Sequence, residues 1–183
     1  RRLTQLALAA AERLDYARGR AYAELNQCWL AYYGGEAEPT CAGLQQYFHQ
    51  GYDLEGGMEV AALQGAYASR RGEFAEAEQF FFLARKLAAQ IPDSLHKFML
   101  YARLGVDALN RGDTQEGPRN FLLALDIAER FGTPAHRVNS LSNLASSQHD
   151  LGNDEDAIPL LYEALDIIGK QKLKYQHTIV SAN

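Results

Sequence analysis

Five histidines, two cysteines and a run of three carboxylates are the side chains of this 183-residue chain with the most obvious chemical potential. Their spacing decides what is open to them. A zinc site needs ligands at short fixed intervals, such as two histidines separated by three residues on one helix face. His49, His96, His136, His149 and His177 show no such interval, and neither Cys28 nor Cys41 has a histidine beside it. No glycine-rich loop ends in lysine followed by serine or threonine, which removes the usual phosphate cradle. Asp154-Glu155-Asp156 reads as the negative first turn of a helix, where carboxylates complement free N–H groups, and not as an acid–base dyad. No catalytic residue, metal or cofactor is expected from these patterns.

Recognition chemistry is better represented. Asparagine offers a donor and an acceptor at once, which suits its amide to bonding a main chain or a neighbouring helix. Tyr22, Trp29, Tyr32 and Tyr33 form an aromatic set that either anchors an interface or packs between helices. Cys28 sits at a small-residue packing site and is expected to be a buried thiol.

The elements that must position these groups are legible in composition and period. With 47% hydrophobic and 22% charged residues the chain is long enough to bury a sizeable core. A net charge of −5 gives no basic field for a phosphate backbone, so no nucleic-acid partner is expected through this region. No apolar run reaches the roughly 18 residues of a membrane span, and the opening stretch from Arg2 carries Glu12, Arg13 and Asp15 within its apolar pattern. It reads as an amphipathic helix and not as a signal peptide. Two cysteines are too few to staple a fold of this size, which makes a reducing cytoplasm the expected location.

A self-similarity organises the rest. Asn120 to Gly132 reads NFLLALDIAERFG, and the later LLYEALDIIGKQK shares its A-L-D-I core. Placing Ala124 on Ala164 brings Gly112 onto Gly152 and Leu104 onto Leu144 at a shift of 40 residues, and a further step back reaches Ala84, Gly72, Phe81 and Gly65. An earlier unit fits with a step of 37, matching Gly35 to Gly72. Within each unit a helical period runs to a glycine, breaks and resumes, as at Arg111-Gly112-Asp113. That is one helix, a turn and a second helix, with Gly112 able to take positive φ and Asp113 able to cap the next helix. Gly65, Gly105 and Ala145 on first helices, and Ala84, Ala124 and Ala164 on second helices, permit close approach. Thr133 and Pro134 are a cap and a first helical residue. Pro118 and Pro159 predict a late start or slight bend in their helices. Of Phe80, Phe81 and Phe82, one is left partly exposed by the helical period.

These motifs resemble the tetratricopeptide repeat, with Tyr101-x2-Leu104-Gly105-x2-Ala108 followed by Gly117-x3-Phe121 and Ala124 as the fullest match. The departures are a period of 40 instead of about 34 and no closing proline, which suggest a longer second helix. At residues 19–52 Thr40, Leu44 and Tyr47 replace the usual small-large-small series. The longer variety is similar to repeats of bacterial signalling proteins, such as large LuxR-type and MalT-like transcription regulators and repeat-fused diguanylate cyclases. The resemblance implies an all-α, right-handed superhelix (α-solenoid) of antiparallel helical hairpins. Its units would be 1–17, a second helix; 19–52, a degenerate hairpin; 56–91, 94–132 and 135–170, full repeats; and 172–183, the first helix of another, with Asn183 in register with Asn143. The whole would be a piece of a longer multidomain protein.

The family's concave surface, carried onto this chain, is lined by Tyr22, Leu25, Asn26, Trp29, Tyr32 and Tyr33 in the first hairpin. Glu59, Ala62, Ala66, Ser69 and Arg70 follow in the second, and Met99, Ala102, Arg103, Val106, Leu109 and Asn110 in the third. The fourth supplies Asn139, Ser142, Asn143, Ser146, His149 and Asp150. The resemblance implies a non-catalytic protein- or peptide-binding scaffold whose partner is another protein or another domain of its own chain. A homodimer joined through Phe80 or Phe82, and a small-molecule pocket at the aromatic end around Trp29, are the alternatives.

Overall fold

The computed structural model describes residues 2–36 and 41–181, with side chains described as far as Lys172 except that of Ala42. Among the described residues the chain is all helix: α1 (Arg2–Arg13), α2 (Ala17–Tyr33), α3 (Ala42–Gln50), α4 (Leu54–Arg70), α5 (Phe74–Ala88), α6 (Leu95–Asn110), α7 (Glu116–Phe131), α8 (Pro134–Asp150) and α9 (Asp154–Ser181). The helices pack pairwise in a helical-repeat arrangement that divides into two units, residues 1–92 and 93–183. In the first, α1 packs on α2, α2 and α3 on α4, and α4 on α5; in the second, α6 packs on α7, α7 on α8, and α8 on α9. Thr40, Ala182 and Asn183 lie outside the described residues.

One terminating device recurs. Gly72, Gly112 and Gly152 take φ of 80°, 77° and 78°, a region open to glycine because it has no Cβ. Each closes a paired bond set: Gly112 N–H donates to the Leu109 carbonyl at 2.9 Å, and Asp113 N–H to that of Ala108 at 2.8 Å. The last helical carbonyls thereby find partners while the chain reverses. Gly35 ends α2 in the same way at φ 73°, and the non-glycines Asp15 and Tyr52 end α1 and α3 at 49° and 52°. Asp113 then accepts from the N–H groups of Gln115 and Glu116 at 3.2 and 2.9 Å, opening α7. Those bonds, Glu116 first, hold its carboxyl below the ordinary carboxylate range.

Close approach explains the small-residue positions. A Cβ on Gly65 would lie 2.5 Å from the Phe81 ring, and one on Gly105 would lie 2.4 Å from that of Phe121. Both rings are buried, as are Ala84, Ala124, Ala145 and Ala164. The fourth hairpin has Ala145 for the glycine and Leu161 for the phenylalanine, and Leu161 is 46% exposed. Of the phenylalanine run, Phe81 is buried, Phe80 half-buried and Phe82 66% exposed.

Four expectations are revised. Cys28 is not a free thiol: it forms a disulfide with Cys41, across 13 residues of chain. The long period does not lengthen the second helices alone, since α4 and α6 run 17 and 16 residues against 15 and 16 for α5 and α7. Pro118 does coincide with a late start, because α7 begins at Glu116 after a turn at Thr114-Gln115, whereas Pro159 sits inside α9, which begins at Asp154. Finally, α9 continues to Ser181, past the boundary expected at 170–172. Gly132-Thr133-Pro134 ends α7 and starts α8, with Thr133 N–H donating to His136 Nδ1 at 3.0 Å and Pro134 in first position. Forty residues on, the chain reads Lys172-Leu173-Lys174, which contains no breaker.

Candidate functional site

The first helix of each hairpin carries the residues expected at a binding groove, and their chemistry differs between the units. In the first unit α2 packs on α4 and closes over it. Trp29, 5% exposed, donates its indole N–H to Glu59 Oε2 at 3.0 Å, and Glu59 is itself 5% exposed. A carboxylate is costly to bury unless it is hydrogen-bonded, so this contact supports both burial events. Leu25, Ala62 and Ala66 are buried with them. These five positions are interior and not exposed groove surface, and Trp29 packs between the two helices. Tyr33 remains 60% exposed, stacked on Trp29 at 5.9 Å between ring centroids. Asn26 is exposed and Ser69 half-buried.

Two further candidates are held by internal bonds. Arg70 lays its guanidinium 3.8 Å from the Tyr32 ring centroid and donates to the Tyr32 carbonyl and, at 3.4 Å, to that of Glu36. It thereby ties the end of α4 to the end of α2 and to the residue that follows the turn. Tyr22 donates its hydroxyl to Asp53 Oδ1 at 3.0 Å, while Arg18 Nε reaches Oδ2 at 2.8 Å and Gly56 N–H reaches Oδ1 at 3.0 Å. Asp53 caps α4 and ties it to α2. Burial pushes the Asp53 carboxyl up, but the Gly56, Arg18 and Tyr22 bonds outweigh it and hold the group below its ordinary value. Burial first, and the Asp53 charge second, push Tyr22 up to about 12. The motif reading passed over Asp53. An aspartate just before a helical run at Leu54 is a capping signal, but its two side-chain partners lie 35 and 31 residues away.

The second unit leaves its corresponding face open. On α6, Met99, Ala102, Arg103 and Leu109 are half-buried, Val106 is 45% exposed, and Asn110 is exposed. Met99 and Ala102 pack partly against the core of Phe98, Ala124, Ile127 and Ala128. On the neighbouring α8, Asn139, Ser146, His149 and Asp150 are exposed, with Ser142 and Asn143 half-buried. Asn143 donates to Asn139 Oδ1 at 3.3 Å. α6 meets α8 directly, so an arginine and two linked amides lie on adjacent helices. His149 Nδ1 lies 2.6 Å from Asp154 Oδ1, and that bond first, with the carboxylate's charge, raises the imidazole's pKa. Met99, Arg103, Asn110, Asn139, Asn143 and His149 are thus brought into one unit. Of the candidates in the other unit, Asn26 and Tyr33 are exposed.

Among the described residues, no cluster of three or more histidine, cysteine, aspartate or glutamate side chains could hold a metal ion. None of the described helices is long and apolar enough to cross a membrane. No family model matches the chain, and no curated protein matches it. The repeat architecture rests on the chain's own period and on its paired helices.

Proposed function

We propose that this chain is a non-catalytic scaffold of tetratricopeptide-like hairpins that binds an extended segment of another protein on the α6–α8 face. One observation carries the reading: Glu59 and Ala66, buried in the first unit, correspond at a step of 80 residues to the exposed Asn139 and Ser146 in the second, with Arg103 and Asn143 half-buried on the same pair of helices. Amides and a guanidinium match the carbonyl and N–H groups of an extended main chain. A regulatory part in a bacterial signalling protein is the setting the family resemblance supports. The Cys28–Cys41 bridge favours an oxidising compartment over the reducing cytoplasm, because disulfides persist where thiols are not kept reduced.

The test is selection of binding peptides from a random library on the whole chain, followed by affinity measurement. Losing hydrogen bonds to a bound main chain costs about 1–3 kcal/mol. Arg103→Ala with Asn143→Ala should therefore weaken the selected peptides about ten- to a hundredfold at unchanged melting temperature. Asn26→Ala should leave them unaffected. Peptides that bind the double variant as tightly as wild type would remove the α6–α8 face from consideration.

A second reading has its own observation. Ile158, Leu161, Tyr162, Leu165 and Ile168 on α9 are 46–70% exposed and recur at helical spacing, forming an apolar stripe of the kind that pairs helices. Homodimerisation through this stripe predicts a concentration-dependent mass in light scattering that Leu165→Glu abolishes.

A further inference from the structure

The helix of the first unit with the weakest local support is the one that carries the bridge. α3 has nine residues, below the roughly 12–15 at which an isolated helix becomes stable in water. Cys41 stands at its N-cap without a side-chain cap bond, and its first turn holds no acidic residue. Its neighbour α4 opens on Asp53, whose side chain accepts from Gly56 N–H. At its far end α3 reverses on Tyr52 at φ 52°, where α2 and α4 reverse on glycine. That conformation is unfavourable to a residue with a Cβ, and the Tyr52 side chain, 89% exposed, gains no burial in return.

What docks α3 is apolar. Leu44 and Phe48 are 4% and 1% exposed, and the Phe48 ring takes the space a side chain at Gly56 would fill, since a Cβ there would lie 2.2 Å from it. These two buried side chains stand against the ordering of nine backbone residues. Among the described residues, the side chains of α3 make one hydrogen bond to another helix, from Gln64 to Gln45 Oε1 at 3.2 Å, and it is exposed. α2, by contrast, is held to α4 by Trp29 on Glu59, by Tyr22 on Asp53 and by Arg70 on the Tyr32 carbonyl. A bridge closing a loop of about this length shifts a folding equilibrium on the order of a hundredfold. Here that factor falls on the helix with the least else to hold it.

We infer that the Cys28–Cys41 disulfide is a redox latch: thiol exchange opens it, α3 leaves the α4 surface, and α2, α4 and α5 stay packed. Cys28 is 6% exposed and Cys41 half-buried, so a reductant reaches the Cys41 sulfur first. One thiolate of a dithiol attacks Cys41 Sγ, the S–S bond breaks, and Cys28 leaves as a thiolate that takes up a proton. The second thiol of the reductant then attacks its own sulfur in the mixed disulfide and expels Cys41, which is protonated in turn. The dithiol is oxidised to its own disulfide as the bridge takes two electrons. Release uncovers Leu44, Phe48 and the α4 surface around Gly56. The latch is independent of the α6–α8 face, and its test does not depend on peptide binding.

The experiment compares the whole chain with and without dithiothreitol, in the absence of denaturant, by hydrogen exchange resolved to single helices. Reduction should finish within about an hour. It should raise exchange in α3 by about fiftyfold or more, raise it about tenfold less in α2 and α4, and leave α5 within about threefold. Limiting glutathione, quenched with iodoacetamide, should be found on Cys41 with the alkyl group on Cys28. Reduced Tyr52→Gly should keep α3 about fivefold better protected than reduced wild type, because the strained reversal is relieved. A bridge that resists dithiothreitol until denaturant is added, an α3 as protected after reduction as before, glutathione on Cys28, no gain from Tyr52→Gly, or a loss as large in α5 as in α3 would each overturn the latch.

Discussion

Ala66 and Val106 stand at the same place in the repeat frame, forty residues apart, yet the first is 7% exposed and the second 45%. The same is true of Glu59, Met99 and Asn139, which pass from buried to half-buried to exposed along the series. In the first unit an indole donates to the Glu59 carboxylate, an arginine crosses to the end of α2, and a disulfide closes the chain from α2 to α3. In the second, the first helices present amides and serines that need no cover. The frame decides which helices pair. The residue types on the first helices decide whether the face between them is sealed or left open.

The largest expected effect tests the sealed side. Trp29→Ala removes a buried ring and a buried hydrogen bond, and should cost about 3–5 kcal/mol in chemical denaturation. Val106→Ala, on the open side, should stay within about 0.5 kcal/mol. Similar losses at the two sites would break the contrast. Next comes the bridge: reduction, or Cys28→Ser with Cys41→Ser, should cost about 3 kcal/mol for a loop of this length. Amide exchange should accelerate across α2 to α4 and stay unchanged in α6 to α9. A loss spread evenly over both units would contradict their separation.

A third pair sharpens what the units share. Gly65→Ala and Gly105→Ala each drive a methyl into a buried phenylalanine ring and should cost about 1–3 kcal/mol by overpacking. The two penalties should agree within about 0.5 kcal/mol, since the contact is the same in both units. The smallest effect is electrostatic and has opposite sign in the two. His149 has a raised pKa, so its contribution is full below the ordinary value of about 6.5 and fades as pH climbs through the raised one. The lowered carboxyl of Asp53 contributes above the ordinary carboxylate range and is lost as pH falls through its depressed pKa. Acid should loosen α2 on α4 while base loosens the α8–α9 turn. Asp154→Asn should bring the His149 titration, followed by proton chemical shift, back down; an unmoved midpoint would remove the pair from the account.

Much of the fold was legible because its determinants are local. A glycine followed by a polar residue announces the reversals after α2, α4, α6 and α8, and Gly65 and Gly105 announce the ring each must admit. Where a determinant was missing the frame misled: without a Gly-Thr-Pro equivalent, α9 runs through the expected boundary. The site was less legible for a related reason. Whether Trp29 is anchor or core depends on Glu59 thirty residues away, and the pairing of Cys28 with Cys41 depends on where α2 ends and α3 begins.

The disulfide also sets what the chain can do under load. Pulled from its two ends, the first unit can release every helix it holds, yet the stretch from Cys28 to Cys41 stays out of the extending tether. Thirteen residues at about 3.5 Å each, less the span of the bridge itself, amount to roughly 40 Å of hidden length. A force–extension trace would recover that length in a single step once a reductant is admitted, marking the covalent tie between α2 and α3 as a stop that tension alone does not undo.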